Sequence, residues 1–305
     1  MDERTIPRSS QSSLPDGDAG LSIEWPVPHE TMSSISNSRE WNAAEYHRLS
    51  APQFLWGQRV LGQLQLRGDE RLLDAGCGTG KLTRILLENL PRGRVVGLDL
   101  SCNMVLHAQQ NLGPDFGNRA HFVAADLSAL PFRDCFDGIF STASFHWVRD
   151  HDALFRNLFR ALRPAGWLHA QCGGGPNLSR LRARVRSLSQ TPAFAMWLGE
   201  FPEPWFFSDA ESAASRLRAA GFENVETNLE QADFSAQSSF EFEQYLRTFV
   251  LHRHLELLPT EELRAAFLQE LGEAGARDNP PWTLDYWRLN LRANRPELPI
   301  PEVSA

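Results

Sequence analysis

The sequence predicts an α/β fold: a seven-stranded, mostly parallel sheet with helices on both faces and a helical cap. Three features carry that expectation. Short runs rich in Val, Leu and Ile alternate with stretches of helical period. Aspartates recur where those runs end, and the first run opens into closely spaced glycines that lead into a helix. Strand–helix alternation implies right-handed βαβ units and parallel pairing.

Along the chain, Trp41–Ser50 and Pro52–Leu64 read as helices. Arg71–Ala75 (RLLDA) is a buried strand, Lys81–Leu90 a helix, Arg94–Leu100 a second strand, Cys102–Asn111 a helix, His121–Asp126 a third strand and Phe136–Ser141 a fourth. A helix over Asp152–Leu162 is stopped by Pro164 and Gly166, and Trp167–Cys172 is the fifth strand. The rhythm breaks after Gly173-Gly174-Gly175-Pro176. Residues 177–207 are helical and end in aromatics; a helix at Asp209–Ala220 and a strand at Asn224–Asn228 resume the alternation. Residues 238–277 form a second helical block, and Trp282–Ala293 is the last strand. The order of elements is Rossmann-like, with the two helical blocks expected to cap the strand edge. Residues 1–38, rich in Ser, Pro, Asp and Gly, are expected to be a mobile, disordered tail ahead of one folded domain over 39–305.

The 305 residues are 42% apolar and 22% charged, a balance that buries a core without staples. A net charge of −8 repels phosphate backbones and argues against a nucleic-acid partner. Cys77, Cys102, Cys135 and Cys172 show no CxxC spacing, and no N-terminal stretch reads as a signal peptide. No run approaches the ~20 apolar residues that cross a bilayer. A cytoplasmic protein without a membrane partner is expected. His252 and His254 would diverge on a helix, so no metal site is expected.

The segment Leu72-Leu73-Asp74-Ala75-Gly76-Cys77-Gly78-Thr79-Gly80 is the most informative. Glycines let a ligand approach the backbone closely, and the next helix points free N–H groups at it. Two phosphate-binding patterns fail on spacing. A P-loop would need glycine where Ala75 stands and Ser or Thr where Leu82 stands. The dinucleotide fingerprint G-x-G-x-x-G would need its third glycine one residue later than Gly80. Asp74 also suits a ligand carrying an ammonium group better than a pyrophosphate. Asp99 closes the second strand, where a carboxylate accepts hydrogen bonds from ribose hydroxyls. Asp126 closes the third, where a carboxylate meets an adenine amino group and the Leu127 N–H a ring nitrogen. One such Asp is usually a turn or cap residue; three at one sheet edge beside a glycine loop read as a nucleoside site.

LLDAGCGTGKLT, VVGLDLS, FVAADLSALPF and FDGIFSTASFHWVRDH resemble the successive motifs of class I S-adenosyl-L-methionine (SAM)-dependent methyltransferases over about residues 41–175. ASFHWVRDH and WNAAEYH narrow the likeness to the trans-aconitate and malonyl-carrier-protein carboxyl methyltransferases. The resemblance implies SAM as cofactor and a small acceptor, an organic acid or a carrier-bound acid. It implies that Asp74 and the loop Gly76, Cys77 and Gly78 hold the methionine end, that Asp99 binds ribose, that Leu100 and Met104 cover adenine, and that Asp126 and Leu127 read its edge. The loop from Ser141 would lie by the methionine carboxylate, and Tyr46 would close over the cofactor.

Methyl transfer is an in-line displacement governed by alignment. A carboxylic acid is already ionised at neutral pH and needs no base, whereas a phenol, alcohol or amine usually does. His146 follows the fourth strand and is the candidate catalytic residue, either as base or as an imidazole that orients the acceptor; Trp147 beside it is a candidate mouth wall or a core anchor. Phe194, Trp197, Phe201, Trp205, Phe206 and Phe207 can line a pocket, though packing is the plainer role. Arg180, Arg182, Arg184 and Arg186 spread around a helix and are expected to be solvated. Methylation of oxygen, nitrogen or carbon in a natural product, a nicotinamide-dependent oxidoreductase and a non-catalytic SAM-binding protein are the alternatives.

Overall fold

The computed structural model describes residues 40–49 and 51–297; the tail expected over 1–38 lies outside them. Helices α1 (Ala43–Leu49) and α2 (Ala51–Leu61) lead into alternating elements: β1 (Arg71–Ala75), α3 (Lys81–Glu88), β2 (Arg94–Asp99), α4 (Cys102–Phe116), β3 (Ala120–Ala124), β4 (Phe136–Thr142), α5 (His151–Ala161) and β5 (Leu162–Gly173). Then come α6 (Ser179–Ser189), α7 (Ala195–Leu198), α8 (Ala210–Ala219), β6 (Glu223–Gln231) and β7 (Phe234–Ser235). The second helical stretch is α9 (Ser239–Tyr245), α10 (His252–Leu257) and α11 (Glu261–Gly275), followed by β8 (Thr283–Leu284) and β9 (Trp287–Asn294).

The main sheet has seven strands in the order β3-β2-β1-β4-β5-β9-β6. Strands β1 to β5 pair in parallel, and β9 runs antiparallel to β5 and β6. This is the Rossmann-like class the alternation predicts. Central strands β1 and β2 are buried along nearly their whole length because helices cover both faces. Helices α2 and α3 press Val60, Leu86 and Leu87 onto Leu72 and Val95. On the opposite face α5 and α8 press Leu154, Phe155, Leu158, Ala213 and Leu217 onto Leu73, Ile139 and Leu291. Edge strand β6 instead alternates exposed Glu226 and Glu230 with half-buried residues, a composition that discourages further pairing. A separate core joins α6, α7, α9, α10 and α11 through Leu181, Phe194, Phe242, Phe267 and Leu271.

The stretch 177–207, expected to be helical, is helical only over α6 and α7. Four further details depart from the sequence reading, each for a tertiary reason. Helix α4 runs through Gly113 and Pro114 because Arg84 pairs with Asp115 (2.8 Å), bonds the Asn111 carbonyl (3.0 Å) and lies over the Phe116 ring. Strand β5 starts at Leu162, directly after the helix, and bulges across Pro164 to Gly166, so that Leu162 pairs with Phe136 and Trp167 with Gly138. The expected last strand is split at Asp285, whose carbonyl and carboxylate accept from Leu178 N and Ser179 Oγ at the start of α6; the first part, β8, pairs with β7 instead. The arginines of α6 are solvated only in part: Arg180 and Arg186 are exposed, whereas Arg182 is half-buried against Glu203 and Arg184 against Asp278 (2.7 Å).

Gly138 lets the Trp167 ring lie flat on β4, since a Cβ there would sit 2.2 Å from it. Gly138→Ala is expected to cost about 2–3 kcal/mol by overpacking a rigid aromatic, measured by urea unfolding; an unchanged midpoint would show that the ring moves freely.

Candidate active site

The strand order reverses between β1 and β4, and the crevice at their carboxyl ends is where open α/β sheets take ligands. There the chain leaves β1 in a tight turn fastened to β2. The Leu98 carbonyl accepts from Gly76 N (2.7 Å) and Cys77 N (2.9 Å). Gly78 N donates to Asp99 Oδ2 (2.9 Å), and Ser101 N donates to Asp99 Oδ1 (2.9 Å). Gly76 and Gly78 take φ of 87° and 52°, the left-handed region that favours glycine. A Cβ on Gly76 would collide with Ser144 Oγ at 1.8 Å; one on Gly78 would occupy open space bounded by Tyr46 at 3.9 Å.

That open space belongs to a cavity of about 530 Å³. Of the residues singled out from sequence, Tyr46, Gly76, Gly78, Asp99, Leu100, Met104, Asp126, Leu127 and Trp147 line it. Asp126 caps the short turn after β3, with Oδ1 accepting from Ser128 N (2.8 Å) and Ser128 Oγ (2.7 Å). Asp74, Cys77 and Ser141 do not line the cavity; they lie behind the turn and brace it. Asp74 is 2% exposed and takes the Thr83 hydroxyl at 2.6 Å. Burial pushes its carboxyl up to about 7 despite that bond, and the nearby Asp99 adds to the rise. The buried Ser141 hydroxyl donates to the Ala75 carbonyl (2.6 Å), and the Cys77 thiol to the Gly78 carbonyl (3.6 Å).

His146 also lies outside the first cavity. It lines a smaller one of about 50 Å³ that shares Trp41, Tyr46, Ala143 and Trp147 with the first. Its Nδ1 accepts from Gly173 N (3.3 Å), which leaves the ring proton on Nε2. Burial, with the positive charge of Arg288 beside it, holds the imidazole well below its usual pKa.

Sequence reasoning expected Tyr46 over the site but missed Glu40, Trp41 and His252, which complete that side of it. Glu40 accepts from Ser101 Oγ (2.8 Å), Cys102 N (3.1 Å) and Asn103 N (3.0 Å), capping α4 from a distance. Trp41 therefore sits against Tyr46, Trp147 and the imidazole of His252, whose ring centre is 3.8 Å away. His252 lines the cavity, and burial lowers its pKa to about 3. WNAAEYH carried a visible signal, whereas a cap supplied 60 residues away and a histidine from α10 carry none in local pattern. Phe201 reaches the first cavity, Trp205 and Phe207 reach the second, and Phe194 packs in the helical core.

The donor set fits an adenosyl sulfonium. Main chain without side chains lies at one end, acids Asp99 and Asp126 along a wall, and apolar Leu100, Met104 and Leu127 beside them. A family model described as a methyltransferase domain matches residues 73–170. A trans-aconitate 2-methyltransferase of Methylobacterium nodulans is 30% identical over 63% of this chain and 68% of its own length. The chain belongs to the class I SAM-dependent methyltransferases. An uncharacterised methyltransferase of Schizosaccharomyces pombe is 26% identical over 84% of this chain and 98% of its own. Matches to other trans-aconitate methyltransferases span as little as 49% of their length. A phosphoethanolamine N-methyltransferase of Haemonchus contortus, solved with SAM, shares the fold at TM-score 0.56, with 18% identity over 84% of this chain and 57% of that one.

This methyltransferase thus uses SAM. Among the described residues there is no cluster of His, Cys, Asp or Glu able to hold a metal and no helix long and apolar enough to cross a membrane.

Because Asp74 is raised in the fold from 3.8 to about 7, it stabilises the fold fully below its unfolded pKa, and that contribution is lost as pH rises through 7. Without cofactor, Asp74→Asn is expected to melt about 5 °C above the parent at pH 8, the gap closing toward pH 4. Calorimetry at several pH values checks this; a gap independent of pH would remove the titration from the account.

Proposed function

We propose that this enzyme transfers the methyl group to a carboxylate oxygen of a small acidic acceptor. One observation carries the reading: the imidazoles at the junction of the two cavities are poor bases. His146 has its Nδ1 engaged and offers an N–H, and His252 is held near a pKa of about 3. Such a site serves an acceptor that arrives ionised. The 30% identity to a trans-aconitate 2-methyltransferase supports the same class.

In this reading the main chain at Gly76 and Gly78 holds the methionine end, with Asp74, Cys77 and Ser141 fixing the turn beneath it. Asp99 takes the ribose hydroxyls, Leu100 and Met104 cover the adenine, and Asp126 and Leu127 meet its edge. Tyr46 and Trp41 close the roof. When bound, SAM supplies an electrophilic methyl on a sulfonium. His146 donates Nε2–H to the acceptor and, with Trp147, sets its angle of approach; the aromatic roof excludes water. The helices joined in the second core act as the cap that shapes the acceptor's side.

A panel of dicarboxylic and tricarboxylic acids, phenols and amines, followed by transfer of labelled methyl, is expected to give products only with acids. Turnover of a phenol but no acid would sink the reading. At saturating SAM and acceptor, kcat is expected to stay flat from pH 6 to 9, since no group at the methyl changes protonation there; a sigmoid near pH 7 that persists in Asp74→Asn would point to a base and overturn this. His146→Ala and Trp147→Ala are each expected to raise the acceptor KM about tenfold, a loss of ~1.4 kcal/mol, with S-adenosylhomocysteine affinity kept in His146→Ala. Unchanged kinetics with the true acceptor would remove both from the positioning role. Glu40→Ala, which frees Trp41, is expected to weaken S-adenosylhomocysteine about tenfold by calorimetry.

A further inference from the structure

The second cavity is lined by a cation without a counter-ion among the described residues. Arg288 of β9 is 3% exposed, yet no carboxylate pairs with it among the described residues. Its Nε donates to Gln171 Oε1 (3.3 Å), and its guanidinium lies over the Trp56 ring, 4.8 Å from the centroid. Glu230, its register partner on β6, is exposed and lines a further cavity together with Arg288, but forms no ion pair with it. Other arginines of the fold are engaged: Arg292 bonds His169 and Gln63, Arg184 binds Asp278, and Arg182 binds Glu203. Around Arg288 stand neutral groups, Tyr46, Tyr245, Tyr286 and His146. Two of those phenols bond each other at 3.1 Å, and Tyr245 also takes Gln53 Nε2 (2.5 Å).

Burying a cation without a counter-ion is unfavourable unless an anion arrives to complete it. A guanidinium whose Nε is engaged keeps its two terminal amino groups side by side, a fork that fits a carboxylate. Trp56 and Gln171 hold that fork in place before any ligand comes. The walls shared by the two cavities, Trp41, Tyr46, Ala143 and Trp147, place Arg288 next to the methyl-transfer site and apart from it.

We infer that Arg288 is the anchor for a second carboxylate of the acceptor, so that the substrate is a polycarboxylic acid bound by one acid group and methylated at another. This rests on the carboxylate reading and adds a recognition residue to it. Arg288 is then a specificity determinant: it rewards acceptors with a remote anion and leaves monoacids weakly held.

The test is tryptophan fluorescence of the full chain with S-adenosylhomocysteine bound, titrated with trans-aconitate, crotonate and sulfate, for the parent, R288M and R288K. The parent is expected to bind trans-aconitate at least tenfold tighter than crotonate, and sulfate is expected to compete. R288M is expected to lose at least tenfold for trans-aconitate, to hold crotonate as the parent does, and to bind S-adenosylhomocysteine unchanged; R288K, which keeps the charge but not the fork, is expected to fall between. Equal affinity of R288M and the parent for trans-aconitate, or a parent that binds neither trans-aconitate nor sulfate, overturns the anchor. If the parent binds both anions through Arg288 but methylates no acid of the panel, the anchor stands and the carboxylate-transfer reading falls.

Discussion

The site depends on one fastening: β2 holds the turn that follows β1. The Leu98 carbonyl takes two successive N–H groups of that turn, and Asp99 takes a third from Gly78. Three main-chain donors are thereby fixed in direction before any ligand binds. The turn is possible only because Gly76 and Gly78 adopt positive φ, and it is useful only because nothing projects from Gly78 into the cavity. Asp74, Ser141 and Thr83 lock it from beneath, so the floor of the site is set by hydrogen bonds within the sheet domain.

The roof comes from elsewhere and is held by a different kind of contact. Glu40 caps α4 at the point where Asp99 leaves β2, so the segment that carries Trp41 is tied to the helix beside the cavity's acidic wall. His47 reaches Thr79 of the glycine turn at 2.9 Å, which ties α1 to the floor. Floor and roof therefore share anchors. Burial explains the electrostatics: the carboxyls of Asp74 and Asp99 are raised and the imidazoles of His146 and His252 lowered, each by burial before any charge partner.

A site so arranged is poor at moving protons and good at holding charges that arrive already formed. Asp99 and Asp126 line the larger cavity, whose rim also carries Arg149 and Arg253, and the buried Arg288 lines the smaller cavity beyond Tyr46 and Trp147. In the proposed reading the sulfonium lies by the acids and the acceptor's remote anion by Arg288. Methyl transfer between a cation and an anion needs little more than such an orientation with water kept out.

The sequence by itself determined the parallel sheet, because strands buried on both faces and helices between them leave a periodic record. It also determined the glycine turn and the positions of Asp99 and Asp126, since positive φ and strand ends are local properties. β1 was legible residue for residue as Arg71–Ala75, and the ends of most other elements to within a few residues; the exceptions are α4, prolonged beside Arg84, β5, which starts at Leu162, the last strand, split at Asp285, and the stretch 177–207, which is helical only in part. Tertiary structure alone decided which side chains share a cavity. It set Asp74 behind the turn rather than in the site, gave His146 its tautomer through Gly173, brought Glu40 to α4 and left Arg288 buried without a counter-ion. Those facts rest on which groups lose water together, and desolvation is a property of the assembled chain that no local pattern records.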